Sequence, residues 1–126
     1  MFKTILFPID PSRETWETTF KAIELAKNHQ SHIILLSVVK PNQDVNNQEL
    51  TISKVKRIRK QMQKANINFN MVERHGKPDF VICDVADNLN VDLIVMSTKG
   101  VNLESNNKST AAKVMDLAPC PVLVMP

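Results

Sequence analysis

At 126 residues the chain is long enough to bury one core and too short for two, and its 43% apolar and 23% charged shares exclude a disordered or fibrous protein. A net charge of +3 and a pI near 9.0 bear on solubility and weak association, not on a dedicated nucleic-acid site. The longest apolar runs, such as 33–36 and 93–96, fall far short of the roughly 20 residues that span a bilayer, and the opening residues read as a strand rather than a secretory signal. The expectation is one domain, residues 1–126, in the cytoplasm and without a membrane segment.

Short β-branched runs alternate with longer stretches of helical period, the pattern of crossover units on a parallel sheet. A first strand is predicted at 3–9. A helix follows Asp10-Pro11-Ser12, a capping residue with a proline suited to a first turn, and Trp16, Phe20, Ile23 and Ala26 are expected to share its buried face. The second strand, 32–39, contains Ile33-Ile34-Leu35-Leu36, as fits a strand covered on both faces. The polar stretch 41–47 reads as a mobile loop, and a second helix is expected over about 48–65, burying Ile52, Val55, Ile58 and Met62 and exposing Lys54, Lys56, Arg57, Arg59, Lys60 and Lys64. A weaker strand at 68–74 leads through Gly76-Lys77-Pro78-Asp79 to a third helix that buries Val81, Ile82, Val85, Ala86 and Leu89. Strand four, 92–96, is apolar throughout, a short helix covers 109–117, and strand five covers 122–125.

Five strands and four helices joined by right-handed crossovers make a three-layer α/β/α sandwich with a doubly wound, Rossmann-like parallel sheet. Ligands of such sheets sit beyond the strand carboxyl ends, where the strand order reverses. The places to inspect are therefore Ile9-Asp10, Val38-Val39, His75-Gly76 and Ser97 to Gly100. Asp10 can touch a ligand there or simply cap a helix, and the two roles are compatible. Ser97-Thr98-Lys99-Gly100 follows strand four and Lys108-Ser109-Thr110 opens the last helix, so free amides, the helix dipole and two lysines could favour a phosphate; an ordinary loop with solvated lysines is the plainer reading.

The basic run of the second helix has no aromatic residues interleaved with it and reads as a solvated face, which weighs against nucleic acid without excluding it and leaves any target of this surface open. His29, His32 and His75 share no metal spacing, no catalytic constellation is present, and neither an enzyme nor a metal site is expected. Cys83 and Cys120 read as buried thiols, and Trp16 and the six methionines read as core. A phosphoacceptor receiver domain shares this sheet, but it wants an acidic pair after strand one and an aspartate ending strand three, where this chain has a lone Asp10 and Arg74-His75.

Four segments together resemble the universal stress protein family across the whole chain: Ile5-Leu6-Phe7-Pro8-Ile9-Asp10-Pro11-Ser12, Ile34-Leu35-Leu36-Ser37-Val38-Val39, Val91-Asp92-Leu93-Ile94-Val95-Met96-Ser97 and, most specifically, 118–126. The resemblance implies the same sandwich and a stress-response role. In members that bind ATP, the loop after strand four carries Gly-x-x-Gly, about nine residues, then Gly-Ser or Gly-Thr. Here Ser97 stands at the first glycine, Gly100 matches the second, Lys108 replaces the third and Ser109 matches the hydroxyl residue, with the loop shortened to seven residues between Gly100 and Lys108. Side chains at two of three glycine positions should hinder close approach of a triphosphate. Asp10 matches the residue near base and ribose, and Val38 the residue whose backbone recognises adenine. The resemblance thus implies a degenerate nucleotide site with no resident cofactor, ATP with magnesium being the alternative, and a homodimer paired through Val122–Met125 with protein partners unknown.

Overall fold

Strands and helices alternate to build a single five-stranded, wholly parallel sheet with helices on both faces, the architecture expected from the periodicity. This computed structural model describes residues 2–9, 16–41, 45–97 and 109–126. In chain order the elements are β1 (Thr4–Ile9), α1 (Trp16–His29), β2 (His32–Val39), α2 (Val45–Lys64), β3 (Phe69–His75), α3 (Pro78–Asn88), β4 (Leu93–Ser97), α4 (Thr110–Leu117) and β5 (Val122–Met125). Their spatial order is β3-β2-β1-β4-β5. The chain steps outwards twice from β1, then returns past it and continues the other way. Right-handed crossovers in opposite directions must put their helices on opposite faces.

The core divides accordingly. Ile5, Phe7, Ile33, Leu35, Leu93 and Val95 point to one face and meet Ala22, Ile23 and Ala26 of α1 and Val55, Ile58 and Met62 of α2. Their neighbours along each strand, Leu6, Ile34, Leu36, Ile94 and Met96, point to the other and meet Ile82, Val85 and Ala86 of α3 and Ala111 and Val114 of α4. The two-residue period of a strand does this sorting, which is why runs that sit between two helical layers are apolar at every position. Each large aliphatic side chain so buried is worth about 1.5–3 kcal/mol.

At the amino ends of the strands, α1, α2 and α3 all stop in the same way. Gln30, Asn66 and Asn90 adopt left-handed φ of 52°, 55° and 51°. Their N–H groups bond to Lys27, Gln63 and Asp87 carbonyls, while the following residues Ser31, Ile67 and Val91 donate back to Ala26, Met62 and Ala86 at 2.8, 3.2 and 2.9 Å. This paired closure uses up carbonyls that a helix end leaves open, and asparagine tolerates the left-handed turn well.

Some expectations need correction. Trp16 and Phe20 do not join the buried face of α1: they are 36% and 51% exposed, and Thr18, Thr19, Ala22, Ile23 and Ala26 are buried instead. The helix can turn this way because small and β-branched residues let it lie close to the sheet, which bulky rings would prop away. The second helix begins at Val45, inside the stretch read as loop, and Ile52 and Leu89 are exposed while Val81 is half-buried. Cys83 and Cys120 are half-buried rather than enclosed, and Met115 on α4 is exposed. The cap assigned to Asp10-Pro11-Ser12 lies outside the described residues.

Candidate functional site

The strand order reverses between β1 and β4, so the crevice expected of this topology opens beyond their carboxyl ends. Pro8 borders it. The backbone of Thr4 faces β4, its N–H donating to Asp92 Oδ2 and its carbonyl accepting from the Asp92 N–H, both at 2.9 Å. Alternation along the strand then turns Leu6 and Pro8 towards β4 as well. Proline has no N–H to offer, and the β1–β4 ladder pairs only Ile5 with Leu93 and Leu6 with Ile94. On its other side β1 stays paired with β2 as far as Ile9 with Ser37, and β4 stays paired with β5 as far as Ser97 with Met125. Pairing between β1 and β4 therefore stops short of the strand ends, where the neighbouring ladders continue. A proline inside an apolar strand was the signal for this in the sequence, and the motif reading passed over it.

Around this mouth the described candidates fall on different faces. Val38, half-buried near the end of β2, packs against the α3–α4 core. Ser97 ends β4 and follows Met96 of that same core, so its own side chain points to the opposite, α1–α2 side. Ser109 sits at the start of α4 in an extended conformation, and its hydroxyl accepts the Ala112 N–H at 3.1 Å while its carbonyl accepts the Lys113 N–H at 3.1 Å. The hydroxyl thus closes one of the helix's own open donors. Asp10, Gly100 and Lys108, with Lys99, lie outside the described residues.

On the β3 side the rim is shaped by Gly76. Its φ of +141° is a conformation that side chains resist, and an added Cβ would come within 3.0 Å of Val81 Cγ2. Its N–H donates to the Val39 carbonyl at 3.1 Å, tying the start of the α3 connection to the end of β2. His75 and Glu73 approach to 3.6 Å on the open surface, a pair of little energetic weight.

Chemistry away from the mouth is muted. Burial, first of all, pushes the Cys83 thiol up, helped by the negative charges of Asp79 and Asp84. Burial likewise raises Cys120, with Asp92 and Cys83 adding to it and a hydrogen bond at the Ile94 backbone opposing. Both shifts work against the thiolate, so neither cysteine is prepared as a nucleophile. Among the described residues no group of three or more His, Cys, Asp or Glu could hold a metal ion, and no helix is long and apolar enough to cross a membrane.

The model of the universal stress protein family matches residues 1–126. Universal stress protein Sll1654 of Synechocystis sp. is 42% identical over 136 residues, which cover 100% of this chain and 87% of that protein. Among solved structures, hypothetical protein MJ0577 is similar at 28% identity and a TM-score of 0.79, covering 99% of this chain and 96% of its own. The fold is also shared with the universal stress protein from Archaeoglobus fulgidus in complex with dAMP, at 14% identity, a TM-score of 0.78 and coverage of 99% and 98%. Matched along its full length, the chain belongs to the universal stress protein family.

Proposed function

We propose that this universal stress protein is a non-enzymatic, cytoplasmic stress-response regulator whose adenine-nucleotide site has degenerated. The observation that supports this most is at Ser109, whose hydroxyl oxygen accepts the Ala112 N–H and so takes up a donor that the start of α4 would otherwise offer to a phosphate. A phosphate at the start of α4 would have to compete with that cap for the same donor. Ser97 and Lys108 add side chains where a tight phosphate loop wants bare backbone. A protein of the same fold was solved in complex with dAMP, which supports reading the remnant as an adenine-nucleotide site.

Calorimetric titration with ATP and magnesium tests the proposal. No heat at millimolar ligand is expected. Low-micromolar affinity would refute it in favour of a nucleotide-dependent switch, in which Lys99 and Lys108 replace the lost glycines by charge. The double substitution Ser97→Gly with Lys108→Gly should raise ATP affinity by roughly tenfold, the order of one good phosphate contact.

The regulator acts as a homodimer through β5. That strand is an edge of the sheet, Leu123 on it is 38% exposed, and Met115 and Leu117 nearby on α4 are each 53% exposed. An apolar edge of this kind is a liability unless a second strand covers it. Sedimentation of a dimer at micromolar concentration, converted to monomer by Leu123→Lys, is the expected result; a wild-type monomer would remove this part.

A further inference from the structure

Read along the sequence, the basic run of α2 lacks aromatic company; folding supplies it from α1. Trp16 and Phe20, one helical turn apart, stand off the apolar stripe with their ring centres 6.3 Å from each other and their planes inclined at 35°. Opposite them on α2, Arg57, Lys60, Gln61 and Lys64 recur at intervals of three and four. The six side chains line an open groove of about 490 Å³ between the two helices. The Arg57 guanidinium lies over the Trp16 ring, 5.6 Å from its centre.

We propose that this groove binds single-stranded nucleic acid without sequence preference, its bases stacking on Trp16 and Phe20 and its phosphates meeting Arg57, Lys60 and Lys64. The guanidinium of an exposed arginine over a partly exposed indole marks a ring face that accepts a flat partner. A base displaces the guanidinium, which then turns to the phosphate beside it. Every base has such a face, which makes the recognition tolerant of sequence. From Arg57 to Lys64 the helix rises about 10.5 Å, enough to engage successive phosphates. Between residues 50 and 64 the helix carries no acidic residue, and α1 places two carboxylates, Glu17 and Glu24, each within one turn of Phe20.

The geometry also discriminates among polyanions. Bases in a duplex bury their faces against one another and offer nothing to Trp16. A lipid bilayer is flat and favours rings that protrude, whereas these rings line a concavity.

Trp16 is the only tryptophan of the chain, so its fluorescence reports on this groove alone. Titration at low salt with an oligothymidylate or oligouridylate of about 15 nucleotides, near the upper site size of a small stacking domain, should quench it to saturation. Three phosphate contacts predict a log–log salt slope of about −2. Arg57→Glu and Lys60→Glu, both on exposed positions, should weaken binding by about tenfold or more, and Phe20→Ala by roughly fivefold or more, with unchanged circular dichroism. The proposal fails if no binding is seen at high micromolar oligonucleotide, or if binding leaves Trp16 fluorescence and the charge-reversal variants unaffected. Equal or tighter binding of a duplex of the same length, or of phosphatidylserine vesicles, would likewise overturn it.

Discussion

The two ends of the sheet are built on opposite plans. At the amino ends, three of the four helix-to-strand connections close through the same pair of backbone hydrogen bonds around a left-handed residue, and the next strand begins within a few residues. At the carboxyl ends, the connections after β1 and β4 take up residues 10–15 and 98–109, Pro8 leaves the central ladder unfinished, and only the β3 connection is short, held by Gly76. Bonds that fix the frame at one end free the other to vary without unfolding the protein. Binding residues belong at the variable end, because a site needs backbone groups that the scaffold has not already used.

The largest effect that would break this contrast lies at the closed end. Ile67 follows the left-handed Asn66, is buried against the α1–α2 core and donates back into α2. Ile67→Ala should cost about 2–5 kcal/mol in a denaturant titration, since it empties part of the core. A loss well under 1 kcal/mol would mean that these turns do not carry the frame. At the open end Gly76→Ala should cost about 1–3 kcal/mol, from a disfavoured φ and contact with Val81. A neutral result would show that the β3 connection is as permissive as its neighbours.

Ser109→Ala removes a single cap and should cost about 1 kcal/mol, while Ser109→Asp retains most of it. If Ser109→Ala instead bound ATP more tightly with no loss of stability, the competition between cap and phosphate would be confirmed and its energetic weight shown to be small. The smallest effect concerns the thiols. Both Cys83 and Cys120 are raised above the ordinary value of 9.0, so below about pH 9 folded and unfolded chains hold the same thiol protons. Above it the unfolded chain releases them first, and stability falls as pH climbs towards the folded values. Replacing both cysteines by serine should flatten that alkaline slope; an unaltered slope would assign it to other groups.

Much of the frame was legible from residues alone. Ile33 to Leu36 and Leu93 to Met96 could only be strands between two layers, because no other short element buries every consecutive side chain. The mouth could be located for the same reason, since a doubly wound sheet has one reversal point. The details of the site were less legible. Val38, Ser97 and Ser109 were named by position along the chain, which shows neither that the Ser97 side chain turns to the α1–α2 face nor that the Ser109 hydroxyl oxygen caps its own helix.

By itself the sequence determined the alternation of strands and helices, their two-sided burial and the family, because hydrophobic period is a local property that neighbours in the chain already display. Only the tertiary structure decided which residues of a helix face outward beside another helix. Trp16 and Phe20 satisfied the spacing of a buried stripe and were still excluded from it, because Thr19, Ala22 and Ala26 let α1 lie nearer the sheet than rings allow. Their meeting with Arg57, Lys60 and Lys64, some forty residues away, is a product of packing, and no window along the chain contains it.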